Sequence, residues 1–227
     1  MLRNVWLMRV MGIRPLSVVH IGGHLGQDHN EYSRLGATKI VWGEADPTNV
    51  KEIIGKYPDA TVIHGLFWSK KNESITFNIM KNRAQNSIYP ARINEDCVHT
   101  SSMLTTTLDC ELKNIELAEP ILLTLDVQGA ELKVLLGGVN FLEKVDFLIC
   151  EITDSSSISQ FSISESDIFE YLSKYGFKRS IKRYSHSREY YDALYVKGSY
   201  LFRIRIQIFD LFRRLTNPFR AIWRSKN

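Results

Sequence analysis

A chain of 227 residues, 44% hydrophobic and 24% charged, holds enough apolar side chain for one sizeable core, which excludes disordered and fibrous classes. Its formal charge of +4 is concentrated in residues 199–227, where seven basic side chains stand against one acid and leave residues 1–198 at −2, a body unlike a nucleic-acid-binding surface. Cys97, Cys110 and Cys150 are odd in number and show no CxxC spacing, as in a reducing compartment, and no apolar run reaches the ~18 residues of a membrane span.

Residues 1–16 read as an N-terminal extension; Arg3 and Arg9 interrupt it and no small-residue cleavage pattern follows, so no secretory leader is expected and cytoplasmic residence is. From Ser17 the chain alternates short apolar runs with amphipathic ones. Strands are predicted at Ser17–Ile21, Lys39–Gly43, Thr61–Leu66, Ile121–Asp126 and Val145–Glu151. Between them, Gln27–Leu35 places Tyr32 and Leu35 at helical spacing with Gly36 as its stop, and Asp46-Pro47-Thr48 opens a second helix with proline in its first turn. Gly129–Gly137 brings Ala130, Val134 and Leu135 onto one face of a third. Strand, helix, strand at this spacing means right-handed crossovers and a parallel sheet. Further strands are expected at Ile75–Ile79, Thr105–Leu108, Phe177–Lys182 and Tyr190–Val196, the last two as an antiparallel edge hairpin. Lys81–Ser102 is polar, irregular and long, a candidate lid.

The chemistry gathers where these strands end. Gly22, Gly23 and Gly26 follow the first strand and open a helix, a place where unpaired backbone N–H groups can meet a nucleotide-like or carboxylate-bearing ligand; a merely tight turn explains them equally. Glu44 ends the second strand, suited to bidentate bonding of ribose hydroxyls, although a carboxylate near a helix N-terminus has a simpler use, which explains Asp46 better. Apolar side chains at His64-Gly65-Leu66-Phe67, just past the third strand, suit a purine, and core packing explains Leu66 and Phe67 as well. Asp126 stands at the tip of the Leu122–Leu125 run. His29, His64 and His99 have no partners at ligand-like spacing, so no metal site is expected, and the glycine spacing is not the GxGxxG of a nicotinamide fold.

Taken together, His20-Ile21-Gly22-Gly23-His24-Leu25-Gly26, Trp42-Gly43-Glu44-Ala45-Asp46-Pro47, Thr107-Leu108-Asp109 and Leu125-Asp126-Val127-Gln128-Gly129-Ala130-Glu131 occur in the order seen in the FkbM-type methyltransferases, which this chain resembles from about Ser17 to Glu151 and on to Tyr191–Val196. The resemblance implies an α/β, Rossmann-like class I methyltransferase fold over residues 17–198: a mostly parallel seven-stranded sheet with an antiparallel edge hairpin. It implies S-adenosyl-L-methionine as cofactor and an O-methyltransferase acting on a hydroxyl of a sugar, glycan or related metabolite. Four positions depart from the common pattern: His20 stands for an aspartate, His24 for an asparagine-like residue, Thr124 for a lysine and Gln128 for a glutamate.

On this reading Gly22, Gly23, Gly26, Glu44, Leu66, Phe67 and Asp126 bind the cofactor. A sugar hydroxyl needs a base as the new bond forms, for which Asp126, Glu131 and His24 are the candidates; Ser87 and Glu151 are placed on the acceptor. A hydrogen-bonded turn histidine and a first-turn helix charge are the plainer readings of His24 and Glu131, and His20 is expected to be a core residue. A non-catalytic binding or scaffold subunit is the alternative that the altered His20 and Thr124 allow. Finally, Leu201, Ile204, Ile208, Leu211, Phe212, Leu215, Phe219 and Ile222 share one face of a helical wheel with arginines opposite, interrupted near Pro218. Such a basic amphipathic C-terminal helix in residues 199–227 suits peripheral contact with an anionic membrane at its inner face, or docking on the body or on a second subunit.

Overall fold

Ser17–Ile21 forms β1 and all five of its residues are buried, the pattern of a strand covered on both faces. The computed structural model describes residues 8–9, 12–89, 97–153, 164–184 and 190–198. After β1 come α1 (His29–Leu35), β2 (Lys39–Glu44), α2 (Pro47–Lys56) and β3 (Thr61–His64). Gly36 stops α1 in the left-handed conformation at φ 106°. Asp46 caps α2 by accepting from Thr48 N at 2.8 Å, and Pro47 takes the first helical position. The central strands β7 (Ile121–Leu125) and β8 (Val145–Thr153) follow, then the edge pair β9 (Lys178–Tyr184) and β10 (Tyr190–Val196).

The seven strands lie in the order β3-β2-β1-β7-β8-β10-β9. From β3 to β8 every pairing is parallel, while β10 runs antiparallel to both β8 and β9. This is the expected sheet with its antiparallel edge hairpin. Alternating residues of each strand feed two cores: Val19, Ile21, Leu123, Leu125, Leu148 and Cys150 on one face, and Val18, Trp42, Leu122, Ile149 and Leu194 on the other. The strand order reverses between β1 and β7, so a crevice opens at their C-terminal ends.

Between β3 and β7 the chain departs from the predicted elements. The Thr61–Leu66 run breaks at Gly65, giving β3 and a two-residue β4 (Leu66–Phe67); β4 joins β6 (Cys97–Thr106) and β5 (Ser74–Met80) in a separate three-stranded sheet, order β4-β6-β5. Residues 97–102, expected within an irregular lid, instead belong to β6, which pairs with β5 from Ser74↔Leu104 to Met80↔Cys97. The Thr105–Leu108 strand is the end of β6, after which Thr107 caps the short helix α3 (Leu108–Leu112). A helical turn at Arg83–Gln85 and a bridge between Asn78 and Ser87 order residues 81–89. Beyond β7 lie α4 (Glu131–Leu136), α5 (Val139–Leu142) and α6 (Glu165–Ser173). Among the described residues no helix is long and apolar enough to cross a membrane. The amphipathic helix expected in residues 199–227 falls outside the described residues, as does most of the N-terminal extension.

Candidate active site

A cleft opens where β1, β2 and β7 end. The tip of β2 supplies Glu44, the chain past β3 supplies Gly65, Leu66 and Phe67, and the tip of β7 supplies Asp126 and Gln128. Gly22 and His24 reach it from the first turn, while Arg83, Asn86, Ser87 and Ile88 form the opposite wall. Most of the site residues read from sequence therefore meet in one place. Gly23, Gly26, Glu131 and Glu151 do not line it.

Glu44 is 6% exposed and its two oxygens are held separately: Oε2 accepts from His24 N at 2.7 Å and Oε1 from Asp46 N at 2.8 Å. Burial pushes its carboxyl up to about 7, against the pull of those backbone donors. A carboxylate has about four acceptor sites, so Glu44 keeps capacity for a ligand hydroxyl.

The glycine turn acts differently from the anion cradle its sequence allows. Gly22 N and Gly23 N both donate to Gly43 O, at 2.9 and 3.2 Å, and Gly26 N donates to Gly23 O at 2.9 Å, so these donors are already used. Glycine is required at position 22 because φ is +84° and a Cβ would sit 1.8 Å from the carbonyl oxygen of Asp126. A Cβ at Gly23 would lie 2.7 Å from the Trp42 ring. The turn thus locks β1 against the tips of β2 and β7, and it leaves the cleft walled by the carboxylates of Glu44 and Asp126. Arg83 is the one Lys or Arg among the lining residues, and Asp46 neutralises it at 2.5 Å.

At the β7 tip, Asp126 N is anchored to Ile21 O at 3.0 Å. Gln128 has a left-handed backbone at φ 55°, and its Nε2 donates to Asp126 Oδ1 at 2.8 Å and Glu151 Oε2 at 3.0 Å. Burial raises both acids, Glu151 well above the ordinary carboxylate range. Glu151 is thereby joined to the cleft through Gln128. Glu131 Oε1 accepts from Val127 N at 3.2 Å and Gly129 N at 3.1 Å; it closes the turn between β7 and α4, and burial pushes it up to about 7. His24, at φ 46°, has its imidazole pushed below the ordinary value, chiefly by burial.

Residues 83–89 bridge the two lips. Arg83 and Asn86 Nδ2, the latter at 2.9 Å, donate to Asp46 Oδ2. On the other side Ser87 Oγ donates to Gln128 O at 3.3 Å and Tyr89 OH to Gly129 O at 3.4 Å. Sequence reasoning named Ser87 in this segment but gave no role to Arg83 or to the amide of Gln128; an arginine inside a polar stretch and a single glutamine carry no spacing signal. His20 and Thr124 are register partners across β1 and β7 and share one hydroxyl, that of Tyr32, 3.0 Å from His20 Nδ1 and 3.4 Å from Thr124 Oγ1. Burial pushes His20 down to about 3, and neither residue lines the cleft. Asp109 braces α5 by accepting from Asn140 N and Phe141 N at 3.0 and 2.7 Å. Among the described residues no group of three or more His, Cys, Asp or Glu is placed to hold a metal ion.

The sequence profile of the Methyltransferase FkbM domain matches residues 21–179. No match was found among curated proteins. Several solved structures share the fold at low identity. A Streptococcus pneumoniae protein described as a candidate tRNA methyltransferase, in complex with S-adenosyl-L-methionine, gives a TM-score of 0.53 with 12% identity over 99% of this chain and 86% of that one. Aeropyrum pernix fibrillarin with bound S-adenosyl-L-methionine gives 0.50 with 12% identity over 81% and 67%. M. capricolum TrmK with S-adenosyl-homocysteine gives 0.50 with 9% identity over 86% and 66%.

Proposed function

The chain belongs to the FkbM methyltransferase family, and on that premise we propose that it methylates a hydroxyl group of a sugar, glycan or related small metabolite. S-adenosyl-L-methionine is the methyl donor of this family's chemistry, and the residues present fit it. The cofactor carries positive charge on its sulfonium and ammonium groups, and the cleft is walled by Glu44 and Asp126 with its one Lys or Arg already paired. A dinucleotide pyrophosphate would meet those carboxylates without free backbone donors from the three glycines of the turn. In this reading Glu44 takes the ribose hydroxyls, Leu66 and Phe67 flank the adenine, and Asp126 faces the methionine end.

The observation that carries the acceptor class is the cluster of Asp126, Gln128 and Glu151 at the β7 tip. When bound, the cofactor supplies a methyl group already activated by sulfonium sulfur. What remains for the protein is to align an acceptor oxygen and remove its proton. Asp126 accepts that proton, with the neutral ring of His24 as the second base within the same lining. Glu131 braces the turn that presents Asp126, and Ser87 and Glu151 shape the acceptor side. His20 and Thr124, the departures that admit a non-catalytic reading, do not line the cleft, so nothing in the site favours that reading.

We place the enzyme in the cytoplasm, or at the inner face of a membrane, with residues 199–227 as its contact to lipid or to a second copy. Incubation of the full chain with methyl-labelled cofactor, a panel of nucleotide sugars and oligosaccharides, and tRNA tests the acceptor class. Label is expected in carbohydrate as an alkali-stable methyl ether; label only in RNA overturns it.

A further inference from the structure

The geometry points to Gln128 as a positioning residue: its amide holds the carboxyl groups of Asp126 and Glu151 as one proton-sharing pair, with Asp126 as the member on the cleft. This rests on Asp126 being the group that takes the acceptor's proton. Two hydrogens on one nitrogen are directed at two different acids, at 2.8 and 3.0 Å. The reverse amide orientation would set a carbonyl oxygen against carboxylate oxygens, so the network itself fixes which end of the side chain faces them. One nitrogen within 2.8 Å of an Asp126 oxygen and 3.0 Å of a Glu151 oxygen brings the two carboxyl groups together in a site where burial raises both, so the first to ionise opposes ionisation of the second.

The placement is built into the backbone. Gln128 adopts φ 55°, a conformation uncommon for a residue with a side chain, and its carbonyl accepts from Ser87 Oγ at 3.3 Å. The same residue therefore ties the acid pair to the segment that walls the cleft opposite. A glutamate, the residue common at this position in the resemblance drawn above, would put a third carboxyl between two others. A neutral amide avoids that repulsion and donates to whichever member is charged. Other ionisable groups facing the pair are Asp192 on β10, opposite Glu151 in register, Glu131 from α4, Cys150 from β8, Asp28 ahead of α1, Tyr32 from α1 and His24 from the first turn. All but His24 are acids, and burial favours the uncharged form of its ring, so the charge the pair can carry depends on the donors it keeps.

The consequence is a division of labour: of the two acids only Asp126 lines the cleft, so a proton from the acceptor enters the pair there, while Glu151 behind it shares the pair's charge. During transfer the acceptor's proton passes to Asp126 and from there to solvent, and Glu151 ends as it began.

The test is a carboxyl-carbon NMR titration of the full chain labelled in Asp and Glu, without cofactor, for the wild type, Gln128→Met and Gln128→Glu. In the wild type the pair is expected to release its protons in two well-separated steps. Gln128→Met removes both donors and should raise the lower step by about one unit. Gln128→Glu, nearly isosteric and so the safeguard against misfolding, should raise it further and leave the trio holding an additional proton at neutral pH. Titration curves of folded variants that superimpose on the wild type overturn the assignment. Because this readout needs no cofactor, it separates the two readings: absence of cofactor binding sinks the cleft's assignment, and unmoved steps with normal cofactor affinity sink only the role of Gln128.

Discussion

Replacing Glu44 by glutamine should weaken cofactor binding strongly while leaving the protein about as stable as before. The native carboxylate accepts His24 N on one oxygen and Asp46 N on the other. Glutamine offers one oxygen, so one of these buried N–H groups faces an amide NH2 instead, a loss of about 1–3 kcal/mol. Opposing it, the variant no longer buries a charge. Burial lifts the Glu44 carboxyl from 4.5 to about 7, and a rise of that size corresponds to roughly 3 kcal/mol of relief at pH 8. The two effects nearly cancel, so the thermal midpoint should move by no more than a few degrees. Binding has no such compensation. Hydrogen bonds to a charged acceptor are worth about 1.5–3 kcal/mol each, and losing one with its charge predicts an affinity about 10–100-fold lower. Isothermal calorimetry with S-adenosyl-L-methionine at pH 8, run beside thermal unfolding, reads both. A variant that unfolds normally and binds within about twofold of the wild type would refute the ribose assignment.

Protonation makes a second prediction. Asp28 is pushed up to about 6, and Glu44 and Glu131 to about 7, by burial. The folded chain therefore holds more protons than the unfolded chain between the ordinary carboxylate range and those values, and stability is lost as pH rises through them. The thermal midpoint without cofactor should fall from pH 5 to pH 8; a midpoint that climbs over that interval contradicts these environments. Gly22→Ala drives a Cβ to 1.8 Å from the Asp126 carbonyl at φ +84°, and about 4 kcal/mol or more of destabilisation should appear in urea unfolding; a loss under about 1 kcal/mol would mean β1 and β7 are not locked as described. Asn86→Ala removes one tether of residues 83–89 to Asp46 and should speed tryptic cleavage after Arg83 several-fold, an effect a cofactor-saturated sample should suppress; equal rates argue against the bridge. Flotation with anionic liposomes should retain the full chain and release one ending at Lys197, whereas equal partitioning excludes lipid contact through residues 199–227.

How far the sequence could be read depended on whether a segment's environment leaves a periodic trace. The buried central strands did, because β1 and β7 are covered on both faces and show as continuous apolar runs bounded by glycine or a carboxylate. Asp46-Pro47 marked the start of α2 correctly for the same local reason: a cap and a residue that fits only the first turn. The strand β6 left no such trace. Its first four residues are exposed and much of its length is Ser and Thr, so polarity read as a loop. The helix α6 was missed although Ser164 and Asp167 form a reciprocal capping box, a signal available in the sequence and not used.

That Glu44, Leu66, Phe67, Ser87 and Asp126 would meet at one cleft was legible because strand ends and the turns after them have fixed places in an open α/β sheet. What sequence could not convey was who holds whom. Glu131 accepts from its own turn, the N–H groups of the three glycines are bonded within the fold although Gly22 lines the cleft, and Glu151 reaches the cleft through Gln128. The departures at His20 and Thr124 looked like two independent losses. In the fold they are neighbours that share the Tyr32 hydroxyl.

A crystal structure of the full chain with S-adenosyl-homocysteine tests the central claim most directly. The ribose hydroxyls are expected within hydrogen-bond distance of both Glu44 oxygens, with the adenine between Leu66 and Phe67 and the amino-acid end beside Asp126. A ligand bound elsewhere, or one whose ribose leaves Glu44 bonded only to His24 N and Asp46 N, would contradict the account.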